Sequence, residues 1–330
     1  MDSIRFDTVR FATKSRYISS VNGNLFKHDV DMTTGEIISI EFQSKGHEEI
    51  PFKLYIQANY KSNIMTIEFS SKILLADYPL LISAQTFRQC LLNIEILGIC
   101  KLDIDSILKD CYFNKLHITK DIGLKLTSDV LDRLNQCTGE YRRYKWDRYM
   151  DGISFTKDVK ATDCKETLTV YNKEIEIALS RNKAFLNKTG NAVSILDYFQ
   201  NKTRLEVKLE NRRKIKKELN ITDTDFDSVM NVQKNILLAQ FDKIFTPNTP
   251  STDSMQINNI VDYGLWCIIR LHNFNLKSIE QEIRDINLYG DKTKGAMGKQ
   301  MKKIRTMMQA HLNQNYEADS VIDGIRNKLK

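Results

Sequence analysis

A tyrosine and a lysine lie two residues apart at the end of a β-branched run in TLTVYNKEIEIA, residues 167–178. The run from Thr167 to Tyr171 predicts a strand, because it is rich in Thr, Val and Tyr. Residues two apart on a strand share a face, so Lys173 is expected beside Tyr171. A phenol is a fair nucleophile once deprotonated, and an adjacent ammonium lowers its pKa. The alternative is a packing tyrosine beside a solvated lysine.

Three further predicted strands carry charged or imidazole side chains in their middle. TIEFS contains Glu68, KLHITKD places His117 and Asp121 on one face, and RLEVKL contains Glu206. Charged groups on a buried strand face are costly unless they are paired or bind a metal. These strands therefore predict a site for one divalent cation, and the alternative is that they are edge strands or have exposed faces.

Basic residues concentrate in two segments. Residues 202–217 contain eight Lys or Arg against two Glu, and YRRYKWDRY, residues 141–149, interleaves four basic residues with three tyrosines and a tryptophan. Cations bind phosphates, and aromatic rings stack on unpaired bases, so we expect contacts to single-stranded or melted DNA. The expected DNA-binding residues are Arg142, Arg143, Lys145, Trp146, Arg204, Lys208, Arg212 and Arg213. The alternative is an ordinary solvated charged surface.

The order of elements predicts an α+β fold with one antiparallel sheet and helices on one face. Strand patterns fill the first 75 residues and recur up to about residue 220, with helices between them. One of these predicted helices, SAQTFRQCLLNIEILG, ends at Gly98, where a C-terminal cap belongs. Residues 224–245, 254–273, 276–287 and 294–314 have helical patterns, interrupted by TPNTPSTDS. We therefore predict a domain at 1–220 and a helical C-terminal domain at 221–330, which serves in duplex DNA binding or in dimerisation.

Composition favours an intracellular protein. The 330 residues are 42% hydrophobic, which is enough for a core, and the net charge of +7 suits a polyanionic partner. Six cysteines form no CxxC pair, so reduced thiols and a cytoplasmic location are expected. No signal peptide and no membrane-spanning run is present in the sequence. The common nucleotide, hydrolase and zinc-protease motifs are also absent.

Five ordered stretches resemble the rolling-circle replication initiators of the gene II/X type, which belong to the HUH endonuclease class. The stretches are MDSIRFDTVRF, NIMTIEFSSKIL, YFNKLHITKDI, ETLTVYNKEIEI and TRLEVKLENR, and they span roughly residues 1–215. The resemblance implies a metal-dependent nickase that acts on single-stranded or melted origin DNA in a bacterial cytoplasm. It implies DNA as the partner, with a host helicase and a second copy of the chain as further partners.

The resemblance also assigns roles to residues. Tyr171 would attack a DNA phosphate and form a phosphotyrosine link, and Lys173 would assist it. Mg²⁺ or Mn²⁺ would be held by His117, Asp121 and Glu206, with Glu68 in reserve, although His-Ile-Thr departs from the His-hydrophobic-His pattern.

Two alternatives remain open from the sequence. One is a non-catalytic protein that only binds an origin. The other, a tyrosine recombinase, needs dispersed Arg and His groups before a C-terminal tyrosine, and no such set precedes Tyr263, Tyr289 or Tyr316. A second catalytic tyrosine, Tyr144 or Tyr149, also remains open.

Overall fold

The computed structural model describes residues 4–136, 144–157, 166–245, 257–272, 274–288, 294–316 and 320–330. Its strands are β1 (Phe6–Thr13), β2 (Ile18–Val21), β3 (Lys27–Val30), β4 (Ile37–Gln43), β5 (Leu54–Asn59), β6 (Ile64–Ser70), β7 (Cys100–Leu102), β8 (Tyr112–Gly123), β9 (Tyr144–Tyr149), β10 (Gly152–Lys157), β11 (Thr167–Asn172) and β12 (Lys202–Leu209). Its helices are α1 (Phe87–Ile96), α2 (Ile104–Asp110), α3 (Ser128–Gln136), α4 (Lys173–Ala178), α5 (Lys183–Thr189), α6 (Ala192–Phe199), α7 (Arg212–Leu219), α8 (Phe226–Met230), α9 (Ile236–Phe245), α10 (Ile260–Leu271), α11 (Leu276–Asp285), α12 (Lys294–Tyr316) and α13 (Ser320–Leu329).

The chain divides into two compact units that interleave along the sequence. The first unit comprises residues 1–125 and 161–237, and the second comprises 126–160 and 238–330. The predicted boundary at 220 thus lies inside the first unit, and the segment 126–160, which the sequence analysis assigned to the first domain, belongs to the second unit.

A large antiparallel sheet forms the first unit, as the α+β prediction requires. Its strand order is β3-β4-β5-β6-β1-β8-β12-β11. The long strand β8 lies between β1 and β12, pairing Thr8 with His117 and Glu206 with Thr119. The registers therefore place residues from β8, β12 and β11 in rows across the sheet, because directly paired residues share a face.

The apolar face of this sheet forms the core of the first unit. Phe11 of β1 packs against Phe87 of α1 with ring centroids 5.4 Å apart, and Phe113 of β8 lies 5.6 Å from the same Phe87 ring. Helix α1 ends where the sequence predicts, with Gly98 at a φ of +68° just beyond it. Buried aromatic rings at these separations stabilise the packing of α1 on the sheet.

The opposite face carries the polar side chains and is called the polar face. Its members from the described strands are Arg10, Glu68, Lys115, His117, Thr119, Asp121, Tyr171, Arg204, Glu206 and Lys208. The polar face is covered at Arg204. The ring centroids of Tyr78 and of Phe199 in α6 lie 5.6 and 5.5 Å from the guanidinium carbon of Arg204. Helices thus contact both faces of the sheet, whereas the sequence analysis placed them on one face.

Helices predominate in the second unit. Its described core includes Ile269 of α10, Ile279 of α11 and Ile304 of α12, together with Met301 and Met308. The strands β9 and β10 form an antiparallel hairpin within this unit, pairing Trp146 with Phe155. The methionines of α12 are therefore core residues. Within the described ranges, no helix is long and apolar enough to cross a membrane.

Candidate active site on the polar face

Strand β11 ends at a helix cap immediately after Tyr171. The side chain of Asn172 accepts a hydrogen bond from the backbone N–H of Ile175 at 3.0 Å, which starts α4 at Lys173. Lys173 is therefore the first residue of a helix, and its predicted position on the same strand as Tyr171 was wrong. The two groups nevertheless meet, because Nζ of Lys173 lies 5.8 Å from the centroid of the Tyr171 ring.

Arg204 lies at the centre of this part of the polar face. It pairs with Tyr171 on one side and with Asp121 on the other. Its side chain is fully buried, donating from Nε and Nη2 to the two carboxylate oxygens of Asp121 at 2.6 and 2.8 Å. Nη1 donates to Asp7 at 2.7 Å and to the Tyr78 hydroxyl at 3.2 Å. A buried guanidinium needs such partners, so Arg204 organises the site.

This arrangement changes the role expected for Arg204 and Asp121. A fully buried side chain has no surface with which to contact DNA, so Arg204 is a positioning residue instead of a DNA contact. Asp121 accepts hydrogen bonds from Arg204 on both carboxylate oxygens, whereas His117 contacts Glu206 and Glu210. Asp7 was not among the predicted site residues. The alternating pattern at the start of β1, where Asp7 lies between the buried Phe6 and Thr8, could have identified it as a strand residue.

The Tyr171 phenol is protonated at neutral pH. Burial raises its pKa well above the usual value, and the Arg204 charge opposes that rise without cancelling it. The expected lowering of this pKa by a neighbouring cation is therefore outweighed by desolvation. The side chain is half-buried, and its hydroxyl makes no hydrogen bond to another of the residues that the structure describes. The phenol therefore needs a base before it can attack.

Lys173 and Glu176 form a buried ion pair within α4. Burial lowers the pKa of Lys173, and the nearby Arg204 charge adds to that effect. Burial by itself would raise the pKa of Glu176, but Lys173 and Lys72 outweigh it and bring it to about 2. The same balance holds for Asp7, where Arg204 overcomes burial and the pKa falls to about 2. Both carboxylates are therefore ionised in the folded protein.

Lys72, which the sequence analysis did not identify, belongs to this cluster. Its Nζ donates to Oδ1 of Asn182 at 2.7 Å and lies 5.3 Å from the Phe185 ring centroid. Burial lowers its pKa to about 8, and the charge of Lys173 contributes in the same direction. The half-buried Lys72 therefore titrates close to physiological pH.

His117 lies between two carboxylates further along the polar face. Nδ1 is 3.1 Å from Oε1 of Glu206, and Nε2 is 3.1 Å from Oε1 of Glu210. Burial would lower the pKa of His117, but these two hydrogen bonds outweigh it and the net shift is upward. Glu210 was not among the predicted ligands, although it continues the 204-206-208 alternation past the end of β12.

The predicted metal ligands are only partly brought together. His117 contacts Glu206, but both of its ring nitrogens are occupied by carboxylates. Glu68 is neutralised by Arg10, Lys53 and Lys115, at 2.5, 2.5 and 3.4 Å. Asp121 is bound to Arg204. Across the described ranges, no group of three or more His, Cys, Asp or Glu side chains is placed to hold a metal ion. As arranged, these residues do not fit the expected cation.

The expected DNA-binding residues have different environments. Lys208 is partly exposed, with Nζ 3.6 Å from Glu206. Arg212 stacks 4.4 Å above the Tyr112 ring and pairs with Asp223, while Arg213 is exposed on α7. Trp146 lies in β9 and is half-buried. Arg142, Arg143 and the side chain of Lys145 lie outside the described residues. The exposed basic positions of α7 are thus the clearest remaining surface for a phosphate backbone.

The two tyrosines considered for a second catalytic role also differ. Tyr144 is buried in the second unit, where its hydroxyl accepts a hydrogen bond from Gln240 at 3.1 Å. Tyr149 is 40% exposed.

Comparison with known proteins adds no family assignment. No protein-family model matches the chain, and no curated protein matches it. The geometry and charge of the site are therefore the basis for a functional proposal.

Proposed function

We propose that the chain nicks and rejoins single-stranded or melted DNA through a covalent link to Tyr171, in the manner of an HUH-type rolling-circle initiator. One observation carries the proposal: the half-buried side chain of Tyr171 lies beside the buried cations Lys173 and Arg204 on the polar face of an antiparallel sheet. Fixed cations next to a phenolic oxygen stabilise the charge that develops when this oxygen attacks a phosphate.

The proposed step is a transesterification. Oη of Tyr171 forms a bond to phosphorus as the bond from phosphorus to the deoxyribose 3′ oxygen breaks. The phenolic proton passes to Glu206, which acts electrostatically on Tyr171 and lies one pairing step from Arg204 along β12. Glu206 then returns this proton, through water, to the departing 3′ oxygen. Rejoining is the reverse reaction, since the phosphotyrosine ester retains the free energy of the broken bond.

The residues around Tyr171 have distinct parts in this proposal. Arg204 does not contact the substrate, and it holds Asp121 and Asp7 on the polar face next to Tyr171, its cross-strand partner. Lys173 contributes positive charge near the ring. The exposed Arg213 and the partly exposed Lys208 are assigned to the DNA backbone. These assignments separate the residues that position the nucleophile from those that bind the strand.

The metal requirement stays a prediction from the resemblance. Because the described carboxylates and His117 are engaged with one another and with cations, no step of the proposal is assigned to Mg²⁺ or Mn²⁺. The nicking assay run with each ion and with a chelator tests this requirement. A host helicase and a second copy of the chain are likewise proposed partners, and the second unit is the proposed site for duplex binding or dimerisation.

The test compares the wild-type chain with Tyr171→Phe on a pool of single-stranded oligonucleotides. We expect nicking by the wild type only, with binding retained by the variant, because the substitution removes a single oxygen. Tyr60→Phe, at an exposed tyrosine just beyond β5, is the matched control and is expected to nick normally. Nicking by Tyr171→Phe at the wild-type rate would refute the assignment.

One observation favours the alternative of a non-catalytic DNA-binding protein. The raised pKa of Tyr171 makes the phenol a poor nucleophile until a base removes its proton. This alternative predicts origin binding through α7 without any cleavage in the same assay.

A further inference from the structure

Lys72 lies in a cluster whose carboxylates contact other cations. The cations Lys72, Lys173 and Arg204, with the largely exposed Arg181 at the edge, surround the carboxylates Asp7, Asp121 and Glu176. Arg204 contacts two of these carboxylates, and Lys173 and Arg181 contact the third. Lys72 makes no ion pair with any carboxylate that the structure describes, and its ammonium is held by the neutral Asn182.

A half-buried cation without a contacting anion is costly, and binding an anion relieves that cost. We propose that Lys72 binds a phosphate group of the DNA strand that is held at Tyr171. This inference rests on the proposed function. It assigns to Lys72 a substrate contact and not a part in the bond-forming step.

The position of Lys72 supports this assignment. The neighbouring Ser71 donates a hydrogen bond to Asp7 at 3.0 Å, and Asp7 is held by Arg204, which pairs directly with Tyr171. Lys72 and Tyr171 thus lie around the same Asp7–Arg204 ion pair. A strand whose one phosphate is attacked by Tyr171 carries another phosphate within a few ångströms, since phosphates repeat along every strand.

The pKa of Lys72, about 8, provides a signature for the test. The charged groups that face Lys72 are Glu176 and Lys173 from α4, Asp7 from β1 and Arg204 from β12. The carboxylates Asp7 and Glu176 have pKa values of about 2 and stay ionised above pH 5. Lys72 is therefore expected to lose its proton, and with it the phosphate, between pH 7 and pH 9.

The experiment measures binding in the full-length Tyr171→Phe background, in which no cleavage interferes. A fluorescein-labelled single-stranded oligonucleotide of mixed sequence is titrated by anisotropy at pH 7 and pH 9 at constant ionic strength. With Lys72 present, we expect affinity to fall about tenfold over this range. Lys72→Met is expected to bind about tenfold more weakly at pH 7 with no further loss at pH 9, and Lys72→Arg to bind well at both values.

Lys61→Met, which removes an exposed lysine from the turn between β5 and β6, is the matched control and is expected to behave as the parent. Parent-like affinity and pH dependence in Lys72→Met would overturn the inference, as would the absence of binding by every variant. The nicking assay is read separately. If Lys72→Met weakens binding but the wild type does not nick, the phosphate contact is supported and only the catalytic proposal is refuted. If the wild type nicks but Lys72→Met binds like the parent, the catalytic proposal is supported and the phosphate contact is refuted.

Discussion

Arg204 and Asp121 form a two-point ion pair across the neighbouring strands β12 and β8, with N–O distances of 2.6 and 2.8 Å. Arg204 is fully buried, and its second contact is with Asp7. The bidentate geometry fixes the orientation of the guanidinium, and Tyr171 is the cross-strand partner of Arg204 on β11. The stability of the first unit and the placement of the proposed nucleophile therefore depend on the same pair.

Asp121→Ala is expected to destabilise the protein strongly. Among the residues that the structure describes, it leaves the buried Arg204 with Asp7 as its one remaining carboxylate, and breaking a buried pair costs about 3–5 kcal/mol. Urea denaturation measures the free energy of unfolding. The control is Asp105→Ala, which removes an exposed pair with Arg88 and is expected to cost about 0–1 kcal/mol. Equal effects of the two substitutions would contradict a structural role for the buried pair.

Stability is expected to fall steeply at low pH. Asp7 and Glu176 have folded-state pKa values of about 2, below their unfolded values near 4, so the stability they contribute is complete above pH 5. It is lost as the pH falls from about 4 through 2, by about 2 kcal/mol per group. Unfolding free energies measured from pH 6 to pH 2 test this.

Asp7→Asn is expected to show a shallower loss over that range because one titrating group has been removed. If the wild type and Asp7→Asn lose stability in parallel, Asp7 does not have the depressed pKa.

Lys72→Met is expected to stabilise the folded chain at pH 7. The folded-state pKa of Lys72, about 8, lies below the ordinary 10.5, so its proton is bound more weakly in the folded state. The resulting loss of folding free energy is largest below pH 8 and disappears as the pH rises through 10.5. Methionine retains the apolar stem without the charge. We expect a gain of roughly 1–3 kcal/mol at pH 7 and a smaller gain at pH 9.5. Destabilisation at both pH values would count against this description of Lys72.

His117 is expected to titrate above the ordinary histidine midpoint. Glu206 and Glu210 contact its two ring nitrogens and favour the imidazolium. Proton NMR of the imidazole C2–H resonance against pH gives the midpoint. Glu210→Gln is expected to lower it, because one of the two carboxylates becomes a neutral amide, whereas Glu95→Gln, at a distant carboxylate in α1, is expected to leave it unchanged. A wild-type midpoint at or below 6.5 would contradict the observed arrangement.

The strands of the polar face were predictable because alternation is a local property. The spacing of His117 and Asp121 placed them on one face of a strand, and the register of β8 against β12 confirms it. Helix α1 and its glycine terminus were predicted for the same reason. The patterns of neighbouring residues, however, do not determine which side chains on that face pair with each other.

The burial of Arg204 could not be predicted from the local sequence pattern. Tyr78, Phe185 and Phe199 come from distant segments, and their rings enclose this end of the polar face. An arginine in an alternating strand is equally compatible with solvent. Because these rings bury Arg204, it pairs with Asp121 instead of contacting DNA, and Asp121 binds Arg204 instead of a metal ion.

Two helix boundaries were missed for local reasons. Asn172 caps α4, and Glu174 and Glu176 in its first turn are a helix-start signal that the β-branched run before it obscured. Residues 224–245 form two helices, α8 and α9, instead of one, with a break at 231–235.

The central claim is that the Tyr171 oxygen forms a bond to a DNA phosphate. The most direct measurement incubates the full-length chain with end-labelled single-stranded DNA and Mg²⁺ or Mn²⁺, separates the products under denaturing conditions and maps any labelled adduct by peptide mass spectrometry. The proposal predicts one adduct, on the peptide that contains Tyr171, and none with Tyr171→Phe. An adduct on another tyrosine, or cleavage with no covalent adduct, would contradict it.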